Sequence, residues 1–160
     1  MTALTGRTTN KWCTFNVDDS GGTIRTIPVD AINGVGLDYD EVDLTAFMDS
    51  IKGALPAQAN CTITITGPFD STAAAAAGSL SGSHTVLYNL PGGVTPLTLD
   101  VQVGIRAVWE SGAPQFGITS SAINGFLCKS YIPDMNGKYT AVFYMAAGST
   151  APAWGTAAET

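Results

Sequence analysis

The chain has 160 residues, 45% of them hydrophobic and only 12% charged, with a formal net charge of −6. That length fits one domain with a real core, and the charged share is about half the ordinary ~25%. Its bases, Arg7, Lys11, Arg25, Lys52, Arg106, Lys129 and Lys138, are scattered, which excludes a chain that holds DNA by neutralising clustered phosphates.

Low charge favours surface that is covered by other subunits, because interface cores are depleted of charge. Cys13, Cys61 and Cys128 are far apart and form no CxxC spacing. They read as small buried hydrophobes in a reducing compartment, not as zinc ligands. The Met1–Gly6 start lacks the apolar core of a signal peptide, and no run reaches ~18 apolar residues. A product assembled in the cytosol is expected.

Residues 1–10 are small, polar and aperiodic, and read as an N-terminal arm. Cys13, Phe15 and Val17 alternate with polar neighbours, so a strand is expected there. Asp18–Gly22 supplies turn chemistry, and Thr23 to Val29 returns as the second strand of a hairpin.

Residues 30–43 carry Asp38, Asp40, Glu41 and Asp43. The run lacks the spacing of a calcium loop and reads as a solvated acidic face or a helix N-terminus. Leu44, Phe47, Met48, Ile51 and Leu55 recur at helical spacing. That pattern predicts an amphipathic helix over about 44–55, capped by Asp43 or Thr45 and stopped by Pro56.

Cys61, Ile63 and Ile65 alternate with Thr62, Thr64 and Thr66 until Gly67-Pro68. β-Branched side chains suit a pleated surface, so this is the clearest strand of the chain. A short helix is expected over about 83–90, with Ser81 or Ser83 as cap and Val86, Leu87 and Leu90 on one face. His84, the only histidine, has no nucleophile or acid fixed near it by pattern, and reads as a capping or surface residue.

Further strands are expected at 97–105, at one long or two short runs over 116–132, and at 139–146. Asn136-Gly137 marks the last hairpin. Residues 148–160 read as a C-terminal arm after a single β domain at 11–147. The whole is mainly β, an α+β chain forming a two-sheet β-sandwich or barrel with the flanking 44–55 helix and the short second helix. No catalytic constellation, metal-ligand set or cofactor motif is present in the pattern.

Three sequence features in order carry a family resemblance: Val42-Asp43-Leu44-Thr45, Gly67-Pro68-Phe69-Asp70 and Trp154-Gly155-Thr156. Over about residues 12–156 the succession resembles the major tail tube proteins of long, non-contractile-tailed (siphovirus-type) bacteriophages.

The resemblance implies a fold shared with type VI secretion tube proteins. It also implies a structural virion protein of the tail, assembled in the bacterial host cytoplasm, with no enzymatic activity and no membrane. Self-association into hexameric rings, stacked into a tube, would be its main contact. Other tail proteins would meet the tube ends. The tape-measure protein and genome DNA would occupy the lumen without specific binding. A long loop or hairpin and the terminal arms would bridge rings, here within 1–10, 30–43 and 148–160. Leu4, Tyr39 and Trp154 are the candidate contact residues, and Asp38, Asp40 and Glu41 the candidate acids of lumen or interface. The alternative is another virion component, a capsid decoration or tail-terminator protein.

Overall fold

Alternation along Cys13–Asp18 (β1) sends Phe15 and Val17 inward, where both are fully buried. The computed structural model describes residues 6–7, 10–48, 50–76, 79–105, 108 and 111–157. Leu4 lies outside the described residues, as does much of the expected 1–10 arm.

The remaining strands are Ile24–Ile27 (β2), Ala31–Asn33 (β3), Asp38–Asp43 (β4), Ala54–Asn60 (β5), Thr62–Pro68 (β6), Leu99–Val103 (β7), Pro114–Ile118 (β8), Phe126–Pro133 (β9), Lys138–Met145 (β10) and Ala153–Thr156 (β11). One sheet has the order β11-β8-β7-β1-β2 and the second β3-β6-β10-β9, while β4 and β5 form a ladder of their own. Every named pair is antiparallel. The expected mainly β architecture of two packed sheets is what the chain adopts.

The core fills the space between the two larger sheets. Phe15, Leu99, Val101 and Phe116 come from the first, and Ile63, Ile65, Phe126 and Phe143 from the second. Phe15 and Phe143 meet across the gap with ring centroids 5.7 Å apart. Burying each such side chain contributes about 1.5–3 kcal/mol. The Ile63/Ile65 face is buried as the alternation predicts, and the strand ends at Pro68.

The short helix spans Ser83–Leu87 (α1) and buries Val86 and Leu87, with Leu90 just beyond. Its N-cap is Gly82, with no side-chain cap. The expected serine caps have other partners. Ser83 Oγ donates to Pro68 O and accepts from Asp70 N–H, and Ser81 Oγ accepts from Ala75 N–H.

The helix expected at 44–55 is not formed. Residues 54–60 pair instead with 38–43, and both strands are almost wholly exposed. Helices of this length draw their stability from packing an apolar face, and among the described residues Phe47, Met48 and Ile51 are left exposed. Pro56 also forbids a helix through its position, yet it is tolerated in an edge strand beside an irregularity. The ladder shifts register there, between Tyr39 and Glu41. Asp43 Oδ1 does accept the Thr45 N–H at 2.9 Å, but it closes a turn and not a helix entry.

Gly34 lies where the chain leaves β3 towards this hairpin. It has φ 82°, and a Cβ there would stand 2.0 Å from the Thr62 carbonyl oxygen. Only glycine allows that approach.

The expected C-terminal arm includes β11, which pairs with β8 and extends the first sheet. The run over 116–132 divides into the end of β8 and β9. The ladder irregularity of the second sheet falls between Val142 and Phe143, opposite the step from Ser130 to Cys128.

Candidate functional site

The β4–β5 hairpin concentrates exposed apolar side chains at one place. Leu44 is half exposed, and Phe47, Met48 and Ile51 are 110%, 97% and 80% exposed. Soluble monomers scatter such residues singly, whereas a contiguous group marks a contact surface. The turn is held by Leu44 N–H donating to Gly53 O at 2.9 Å and by Gly53 N–H donating to Thr45 Oγ1 at 2.9 Å. Thr45 holds the Asp43 carboxyl below the usual range by donating hydrogen bonds to it.

Asp38, Asp40 and Glu41 stand on β4 of the same hairpin, all exposed, together with half-exposed Tyr39. The strand period places Asp38, Asp40 and Val42 on one face, and Tyr39 and Glu41 on the other. Four of the sequence-derived candidates therefore share one strand.

A second feature lies where the two large sheets part. A cavity of about 220 Å³ is lined by Cys13, Val29, Ile32, Val35, Val101 and Val103, with Asp30, Ala31 and Trp154 completing it. Trp154 is 55% exposed and packs against Phe116, ring centroids 5.1 Å apart. The lining is apolar except for Asp30, whose carboxylate is paired with the Lys138 ammonium and accepts a hydrogen bond from Thr66. Lys138 foremost, then Thr66, holds that carboxyl below its ordinary value.

His84 belongs to an aromatic group. Its ring lies 4.7 Å from Phe69 and 5.3 Å from Tyr88, and Nδ1 is 3.1 Å from the Tyr131 hydroxyl. Neither an acid nor a nucleophile stands among these partners. Among the described residues no three His, Cys, Asp or Glu side chains group as metal ligands. Among them, too, no helix is long and apolar enough to cross a membrane.

The outer face of the first sheet carries a polar network. Asn16 Nδ2 donates to Asp100 Oδ1 at 2.6 Å, and Thr26 Oγ1 donates to Asn16 Oδ1. Burial pushes the Asp100 carboxyl up, and the neighbouring Asp18 adds to that, against hydrogen bonds from Asn16 and Gln115. Asp18 in turn accepts Thr98 N–H at 2.8 Å and the Ser120 hydroxyl at 3.2 Å. These groups tie strands and loops of the first sheet together.

No protein-family model matches the chain, and no curated protein matches it by sequence. Solved structures match its fold. A chain of an extracellular contractile injection system, from the PVC sheath-tube complex in the extended state, aligns with TM-score 0.61 and 11% identity. That alignment covers 96% of this chain and 94% of that one. A chain of the anti-feeding prophage cap, a tube-terminating cap, gives TM-score 0.61 and 12% identity over 97% and 95%. The sheath/tube terminator of the PVC system in the extended state gives 0.60 and 12% over 96% and 99%. The fold is the one these tube-system chains share. All three come from contractile systems, so the likeness does not point to non-contractile tails in particular.

The sequence pattern missed the exposed tip, because its apolar spacing also fits a helix. The contrary signals were Gly53 inside the expected helix, Pro56 just past its end and the alternation of Tyr39 with acids before it. The inter-sheet cavity left no sequence signal, since its lining comes from four separate segments.

Proposed function

We propose that the chain is a structural subunit that self-assembles into a tail tube, as stacked rings with a lumen for genome DNA. The observation that carries this reading is the hairpin: seven exposed large apolar side chains, Tyr39, Val42, Leu44, Phe47, Met48, Ile51 and Leu55, on a tail-tube-like fold. An isolated two-stranded hairpin is marginal in water, and a neighbouring subunit supplies the cover it lacks. Because the hairpin differs from the surface it would meet, the contact is heterologous. Such contacts close into rings or propagate as filaments.

Within this reading the rings are hexameric and the tube is a virion tail component assembled in the bacterial cytoplasm. Other tail proteins close its ends, and the tape-measure protein precedes DNA in the lumen. The hairpin bridges rings, with Tyr39 at the contact. Asp38, Asp40 and Glu41 share that hairpin, which favours an interface position for them over a lumen position. The net charge of −6, repeated around and along a tube, repels phosphates and keeps DNA from sticking.

A terminator is the second reading, favoured by the likeness to cap and terminator chains. Negative-stain microscopy of the purified protein separates the two. Tubes that lengthen with concentration are expected. Single rings that bind preformed tube ends without growth establish the terminator instead. A strictly monomeric particle at high concentration, even with a nucleating partner, overturns both.

A further inference from the structure

We infer that the hairpin tip of one subunit inserts Phe47 into the inter-sheet cavity of a second copy of this chain. The inference rests on the assembly reading above and names the two surfaces that meet. The tip offers a fully exposed phenyl ring flanked by Met48 and Ile51. The cavity, about 220 Å³ and lined by valines, Ile32 and Cys13, is left open among the described residues. An apolar cavity of ~150 Å³ already accepts benzene, so one phenyl ring fits. Trp154 at its edge offers an aromatic face for an offset or edge-to-face contact.

Three further observations favour this occupant. Val35, which lines the cavity, lies in the connection from β3 to β4, so donor and acceptor surfaces are continuous in the chain. A strand of seven residues such as β5 spans ~23 Å at ~3.3 Å per residue, enough to carry the tip away from its own cavity to the next subunit. Charge also agrees. The shaft below the tip carries Asp38, Asp40, Glu41 and Asp43, whereas Lys11 stands two residues before Cys13 of the lining. Insertion leaves no charge unpaired in the cavity, because Asp30 keeps its lysine.

Phe47→Cys tests the contact, because Cys13 lines the acceptor cavity while Cys61 and Cys128 are buried. The variant is assembled alone, or with excess wild type where it does not assemble alone. It is then treated with a mild oxidant or a short bismaleimide and run on a denaturing gel. A ladder of cross-linked subunits that disappears in Phe47→Cys/Cys13→Ser is the expected result. Phe47→Asp is expected to raise the concentration needed for assembly by about tenfold to a hundredfold, in line with burial of one aromatic side chain, while leaving the monomer's melting temperature unchanged. Assemblies that form without any Cys13-dependent cross-link, or a Phe47→Asp protein that assembles as readily as wild type, overturn the cavity contact and leave the tube reading intact. A wild-type protein that never assembles removes both.

Discussion

Val42 stands directly opposite Leu55 across the β4–β5 ladder, and both remain about half exposed. A cross-strand apolar pair stabilises a hairpin by at most about 1 kcal/mol, and this one leaves about half of each side chain open to solvent. The hairpin is therefore expected to be dispensable for folding and needed for assembly. Replacing residues 39–59 with a short Gly-Ser linker should leave monomer stability within about 0.5 kcal/mol, as for surface changes generally. Thermal melting and sedimentation check both halves. A variant that unfolds, or one that still assembles, contradicts the division of roles.

Alternation made the sandwich legible. The Cys61–Thr66 run pointed to a strand with one buried face, and Ile63 and Ile65 are fully buried. Asn136-Gly137 likewise marked the β9–β10 hairpin, where Gly137 takes φ 74°. The failure at 44–55 has a physical cause. Helical spacing reports that apolar side chains share a stripe only if the backbone is helical, and these residues serve as an exposed tip. Tyr39 came as a contact candidate from the family resemblance alone, and it lies half exposed on β4. The acceptor cavity was not legible, since Val29, Val35, Val101 and Val103 become neighbours only through sheet order.

The backbone at Gly34 should tolerate no side chain. A Cβ would meet the Thr62 carbonyl oxygen at 2.0 Å, and φ is 82°. Gly34→Ala must shift β3 from β6 or strain its own backbone, at about 1–3 kcal/mol. Chemical denaturation reads the loss. A variant as stable as wild type would mean that β3 is free to move away from β6.

Adjacent residues on β10 should differ sharply. Phe143 is fully buried against Phe15, whereas Tyr144 is 40% exposed on the opposite face. Phe143→Ala is expected to cost about 3–5 kcal/mol, as truncation of a core aromatic does. Tyr144→Ala should cost far less in the monomer. Equal losses at the two positions would contradict the two-sheet core.

Asp100 should give the fold an unusual pH response. Burial, with Asp18 nearby, raises its carboxyl above the ordinary value despite hydrogen bonds from Asn16 and Gln115. The folded chain therefore holds this proton more tightly than the unfolded chain does. Linkage fixes the sign: stability from this group is fully present below the unfolded carboxylate range and declines as pH rises towards the raised value. Asp30, Asp43 and Asp70, all lowered, respond in the opposite sense, so the wild-type profile alone mixes the two. Comparing Asp100→Asn with wild type cancels the shared part. Asparagine keeps a neutral acceptor for Asn16 Nδ2 and does not ionise. The variant's stability relative to wild type should therefore improve from pH 4 to pH 8, read as the difference in melting temperature at each pH. A difference that is constant with pH would mean that Asp100 ionises as readily in the folded chain as in the unfolded one, and one that moves against the variant at pH 8 that it ionises more readily when folded.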